Sequence, residues 1–171
     1  MKFTVSKTEI VKALSSTLGV VEKRQALPIL SNILLTVDNK SISITATDLE
    51  SEVKTVCAPI NVESEGSTTA PAKKLNELCR LLPDGSEISI SLSNEKLFIE
   101  SGAGKYSIST LPSNDFPIFD VENENTEFTI LGSVLRNLII KTSFAMGNQD
   151  WRHYLNGMYM SVEDNSITVV T

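Results

Sequence analysis

From Lys2 to Val5 polar and apolar residues alternate, as in a short strand, and at Ser6 the period changes. Ser6-Lys-Thr-Glu9 has the form of a capping box, in which the Ser6 hydroxyl and the Glu9 carboxylate satisfy free N–H groups at a helix start. Behind it Ile10, Leu14 and Leu18, with Val11 and Val21, form an apolar stripe at helical spacing. After Leu27-Pro28 the period returns to two. Ile29–Val37, Ser41–Thr47 and Glu50–Cys57 are predicted strands, with Asp38-Asn39-Lys40 as a hairpin turn. The predicted order is strand, helix, then three strands.

The same order follows again. Ser67–Ala70 is a predicted strand, and Pro71 suits the first turn of a helix. Leu75, Leu78 and Leu82 give that helix its buried stripe, and Pro83-Asp84-Gly85 stops it. Glu87–Leu92, Lys96–Ser101 and Lys105–Thr110 supply three more strands. Leu111–Pro117 and the acidic run to Glu127 form a linker.

At Phe128 the first pattern restarts at a constant offset of 125 residues. Phe3-Thr4-Val5 maps to Phe128-Thr129-Ile130, Ile10 to Leu135, Leu14 to Ile139 and Leu30 to Leu155. Ser41-Ile42-Ser43-Ile44 maps to Ser166-Ile167-Thr168-Val169 without a gap. Repeats of this size imply stacked or ringed domains rather than a short-period solenoid. Residues 1–122 are expected to form one complete domain of two βαβββ copies, and 123–171 the start of a second. By the same offset the second domain would need roughly 75–80 further residues, so the chain is expected to be a fragment. The fold class is α+β.

Composition adds little to this picture until it is sorted by segment. A chain of 171 residues, 41% hydrophobic and with mean hydropathy near zero, can bury a real core. No apolar leader opens it, and no run approaches the ~20 apolar residues of a spanning helix. The net charge of −6 argues at first against a nucleic-acid partner. The helices, their flanks and the 147–157 loop nevertheless carry ten basic residues against four acidic ones. The rest of the chain carries five against seventeen. A polyanion could be held on the basic side of such a molecule while the whole stays acidic.

Most candidate chemistry fails on its own terms. Cys57 and Cys79 form no Cys-x-x-Cys pair, and His153 is the sole histidine, which excludes a zinc site of ordinary spacing. Both cysteines are expected to be free, buried or half-buried thiols of a cytoplasmic protein. Ser101-Gly-Ala-Gly-Lys-Tyr106 suggests a phosphate loop, but Tyr follows Lys105 and the segment joins two strands, so a hairpin is the reading. His153 lacks the companion groups of a general base. Asp48-Leu-Glu50-Ser-Glu52 lacks the glycine and spacing of a calcium loop and reads as a solvated turn. No catalytic residue, metal or cofactor is expected. What stands out is Gly147-Asn-Gln-Asp-Trp-Arg-His-Tyr-Leu-Asn-Gly157, which holds the lone Trp and the lone His.

Met1-Lys-Phe-Thr-Val5, Leu27-Pro-Ile-Leu30, Thr47-Asp-Leu-Glu50, Ser109-Thr-Leu-Pro-x-x-Asp-Phe-Pro117 and Gln149-Asp-x-Arg-x-Tyr-Leu-Asn-Gly157 together carry a resemblance over the whole chain. They resemble the bacterial sliding clamp family, the β subunit of DNA polymerase III. The resemblance implies a DNA clamp fold, with helices toward a pore and sheets outside, in a head-to-tail homodimeric ring around double-stranded DNA. It implies a processivity factor in place of an enzyme. Its partners would be the DNA polymerase III alpha subunit, other polymerases and the clamp loader, with no membrane. By position, Arg24, Gln149, His153 and Tyr154 match DNA-contacting places, and Arg152 and Leu155 the edge of a partner-peptide groove. Lys74, Leu78, Lys105, Tyr106 and Ile108 match one face of the subunit interface. His153 stands where relatives commonly have Tyr, and Ala103 where they often have Arg. Leu78, Ile108 and Leu155 have core packing as their alternative. The other class of function is a protein-interaction scaffold in which basic helices bind acidic partners and no DNA is encircled.

Overall fold

A computed structural model describes residues 1–21, 27–118, 128–163 and 166–171. They fall into two compact units, Met1–Val121 and Glu122–Thr171.

In the first unit, strand β1 (Lys2–Ser6) runs into helix α1 (Lys7–Thr17). Ser6 keeps an extended backbone and its Oγ accepts the Glu9 N–H at 3.2 Å, one half of the predicted capping box. The α1 stripe buries Ile10, Ala13, Leu14 and Thr17. The helix is shorter than its stripe: Thr17 turns its hydroxyl back to the Leu14 carbonyl, and Leu18–Val20 tighten into a 3-10 turn. Val21, beyond that turn, still reaches the core.

The predicted strand from Ile29 begins at Asn32. Pro28–Ser31 form a 3-10 turn, with proline at its start and the Ser31 hydroxyl donating to the Pro28 carbonyl. Strands β2 (Asn32–Val37), β3 (Ile42–Thr47) and β4 (Glu52–Cys57) then form a meander. Its two turns are built alike. Asp38 Oδ1 accepts N–H groups from Lys40 and Ser41, and Asp48 Oδ1 those of Glu50 and Ser51. Asp48–Ser51 are thus the turn the composition predicts, with Leu49 at φ +74°, while Glu52, read as part of that turn, already opens β4.

A short strand β5 (Asn61–Ser64) precedes β6 (Gly66–Pro71) and helix α2 (Ala72–Leu81). The α2 core face is Ala72, Leu75, Asn76 and Cys79, so Cys79 joins the predicted leucines. Leu78 is half-buried against the core, and Leu82 is buried just beyond the helix end. Strands β7 (Glu87–Ser93), β8 (Lys96–Ser101) and β9 (Gly104–Ser109) complete the unit. The Ser101–Lys105 stretch is the expected hairpin, Ser101 opposite Gly104 and Gly102 at φ +55°.

The sheets do not follow the sequence copies. The order β4-β3-β2-β6 gives the first copy's meander the first strand of the second copy. The order β5-β1-β7-β8-β9 gives the second meander the first strand of the first copy. Each copy therefore lends its opening strand to the other. Both helices and both sheets close over one core that includes Phe3, Ile10, Leu14, Ile33, Leu35, Leu75, Ile90 and Leu97.

The second unit repeats the plan in part. Helix α3 (Gly132–Thr142) leads through 3-10 turns at Ser143–Ala145 and His153–Asn156 to the antiparallel pair β10 (Tyr159–Glu163) and β11 (Ser166–Val170). Phe128–Ile130, read as a restarting strand, is not one. Its counterpart β1 is held by β5 and β7, and no described strand plays those parts here. Likewise no α3 residue is buried. Ile139 is 41% exposed where its repeat partner Leu14 is 0% exposed.

Candidate nucleic-acid and partner interfaces

The 147–157 loop is held by its own backbone and two polar side chains. The Gly147 N–H donates to the Leu155 carbonyl at 2.7 Å, closing the loop at its base. A Cβ on Gly147 would lie 2.9 Å from that carbonyl oxygen and 3.1 Å from Asn156 Oδ1, so the approach needs glycine. Asn156 braces the middle: its Oδ1 accepts the Asp150 N–H at 2.9 Å, and its Nδ2 donates to the Asp150 carbonyl at 2.8 Å. Gln149, at φ +58°, makes the reversal that allows this.

Asp150 in turn fixes Arg152. Its Oδ1 accepts the Arg152 N–H at 2.9 Å and Nε at 3.1 Å, and its Oδ2 accepts Nη2 at 3.0 Å. The Arg152 side-chain bond, then its backbone N–H, hold the Asp150 carboxyl below the usual carboxylate range. The guanidinium lies over the Trp151 ring, 5.8 Å from its centroid. Trp151 is 82% and Tyr154 77% exposed, and Gln149 and His153 are exposed beside them. Leu155 is half-buried, with its N–H donating to the Arg152 carbonyl. The structure thus brings Gln149, Arg152, His153, Tyr154 and Leu155 onto one braced loop. Arg24 lies outside the described residues.

The expected subunit-interface residues lie on α2 and β9. Strand β9 is an edge, paired only with β8 among the described residues. Tyr106 and Ile108 stand opposite Ile99 and Leu97, on the face turned to the core. Tyr106, near the strand end, stays 44% exposed, its ring lying back over Gly104. Ile108 is 2% exposed and belongs to the core cluster, so its side chain is not on the surface of this unit. The resemblance put it at the interface; its strand period, given by the Leu97 partner, puts it inside. Lys105 is exposed and paired with Glu100 at 3.2 Å. Lys74 is exposed on α2, and Leu78 half-buried.

The thiols are buried and free. Burial, then the charge of Glu9, raises Cys57 to about 11, and burial raises Cys79 to about 12 against the opposing charge of Lys7. Among the described residues no cluster of His, Cys, Asp and Glu could hold a metal, and no helix is long and apolar enough to cross a membrane. Sequence reasoning found the loop but missed its brace. The signal lay in Asp150-x-Arg152 and in Asn156, an acid and an amide placed to close a turn.

A duplicated βαβββ unit with paired helices and exchanged first strands defines the α+β clamp fold. The family model of the DNA polymerase III beta subunit, N-terminal domain, matches residues 1–120, and that of its central domain matches 129–171. The chain belongs to the DNA polymerase III beta subunit family. It is 41% identical to the beta sliding clamp of Escherichia coli K12 over 99% of its length, and equally so to that of Pseudomonas aeruginosa. In both cases it spans 46% of the relative. It is similar to the crystal structure of the Pseudomonas aeruginosa sliding clamp bound to griselimycin, with TM-score 0.94, 41% identity and coverage of 99% of this chain and 46% of that one. The Caulobacter crescentus pol III beta structure follows at TM-score 0.89 and 35% identity, with the same coverage.

Proposed function

We propose that this chain is the N-terminal part of a DNA sliding clamp, a processivity factor that encircles duplex DNA and tethers the replicative polymerase. The observation that carries the reading is the likeness to solved sliding clamps along 99% of the chain. The charge distribution supports it. Helix α3 carries Arg136 and Lys141 with no acid, and α2 carries Lys73, Lys74 and Arg80 against Glu77. Diffuse attraction of Lys and Arg to phosphate reads no sequence and permits sliding. Hold on the DNA would then come from topology, with no catalytic step.

In this reading residues 1–122 are the first clamp domain and 123–171 the beginning of the second. Arg24, Gln149, His153 and Tyr154 contact duplex DNA, and Arg152 and Leu155 border the groove for peptides of polymerases and the clamp loader. Lys74, Leu78, Lys105 and Tyr106 form one side of a head-to-tail homodimer interface, with Ile108 supporting them from beneath. The setting is the cytoplasm. A full-length protein carrying this sequence, placed on circular DNA by its loader, is expected to stay bound at moderate salt and to leave when the circle is cut. Retention on the linearised DNA would instead favour a scaffold that binds without encircling.

A further inference from the structure

Trp151 has no part in the contacts proposed above, yet it is the most exposed aromatic side chain of its loop, at 82%. Its orientation is constrained. Asn156 holds Asp150, Asp150 holds Arg152 through three hydrogen bonds, and the guanidinium lies over one face of the indole. The other face is open to solvent. Little ordering entropy is left to lose when a flat group lies on that face.

We propose that Trp151 is a stacking platform for an unpaired base of single-stranded DNA, giving an arginine–indole–base stack next to the duplex contact. The proposal rests on the reading of this loop as DNA-binding. Three features favour a nucleobase over the apolar side chain of a partner peptide. The site is an open plane, whereas a peptide anchor needs a pocket. A cation already lies on the ring, the pairing that recurs in single-strand grooves. The exposed neighbours are an amide, an imidazole and a phenol, from Gln149, His153 and Tyr154, which can meet base edges and phosphates. Stacking of this kind is blind to sequence, because every base has a flat face.

Trp151 is the only tryptophan of the chain, so its fluorescence and its indole N–H resonance report this site alone. The chain is titrated at low salt with a fluorescein-labelled short oligothymidylate and with a blunt duplex of equal length, following label anisotropy and the indole signals. The single strand is expected to quench the fluorescence and shift the indole resonance, while the duplex binds and leaves both unmoved. Trp151→Ala should lower single-strand affinity roughly tenfold, with Trp151→Phe keeping most of it and duplex affinity unchanged in both. If the single strand binds without moving the indole signals, or Trp151→Ala binds it as well as the parent, the stacking proposal is wrong and the duplex reading stands. Quenching by a short apolar peptide and not by the oligonucleotide would overturn it in favour of partner docking. Binding of neither DNA would remove the duplex reading of this loop together with the proposal.

Discussion

Lys7 Nζ lies 2.7 Å from Asp84 Oδ1 and also donates to the Leu82 carbonyl, so the residue that opens α1 closes the end of α2. The Lys7 side chain is only 12% exposed, whereas that of Asp84 is fully so. The carbonyl bond therefore matters more than the ion pair. Lys7→Met should lower the stability of the first unit by about 1–2 kcal/mol, because it leaves the Leu82 carbonyl without its donor. Asp84→Asn should do less. Denaturant titrations of both variants give the comparison, and equal losses would contradict it.

Acid should weaken the fold from several turns at once. Asp38 is held below its usual value of 3.8 chiefly by the Lys40 backbone N–H, Asp84 by the Lys7 ammonium and Asp150 by Arg152. Folded values below the unfolded one mean stabilisation that is present above pH 3.8 and lost as the pH falls through the folded values. Stability measured against pH should fall at the acid end, and Asp38→Asn should flatten that limb.

The thiols titrate the other way. Raised to about 11 and about 12 from 9.0, Cys57 and Cys79 favour the folded state fully below pH 9.0 and lose that contribution as the pH climbs through the folded values. At neutral pH both should resist a thiol reagent until the chain unfolds. Rapid labelling of either in the native protein would contradict the burial described.

Ile108 and Tyr106 share a strand face but should fail differently. Ile108→Ala removes core packing and should cost about 2–4 kcal/mol in an unfolding titration. Tyr106→Ala should stay within about 1 kcal/mol there, and should weaken self-association of the full-length protein, read by sedimentation. If Tyr106→Ala leaves association intact, that interface assignment is wrong.

Gly147→Ala should disorder the 147–157 loop, since its methyl would press on the Leu155 carbonyl. Amide resonances of Asp150, Arg152 and Asn156 are expected to shift, and an unchanged set would contradict the closure of the loop at Gly147.

Among the described residues of the first unit, periodicity alone places both helices and seven of nine strands, β1 to β4 and β7 to β9, with β8 matched at both ends and no strand end off by more than three residues. The β6 prediction is also sound but short at both ends, because Gly66 and Pro71 give no apolar signal. Strand β5 escapes notice because Val62 is its lone apolar residue, on a strand that only edges the sheet. The exchange of first strands is invisible for a different reason. A period of two says that a strand exists and which face is buried, not which distant strand it joins. In the loop, residue identities carry the resemblance, but the clasp of Asp150 on Arg152 and of Arg152 on Trp151 depends on the reversal at Gln149. No local preference of glutamine predicts that reversal.

Phe3 faces Ile90 across the β1–β7 ladder, and Leu35 faces Thr68 across β2–β6. As the chain leaves the ribosome, strand β1 meets its edge neighbour β5 only when Asn61–Ser64 follow, and its inner neighbour β7 only with Glu87–Ser93. Strand β1, made before both neighbours, is thus held on both sides only late. Closing so long a loop is slow relative to local hairpins, and an apolar strand left waiting is an invitation to the wrong partner. Two halves that each hold a piece of the other cannot melt separately. Unit one should therefore fold late but unfold as a single cooperative block.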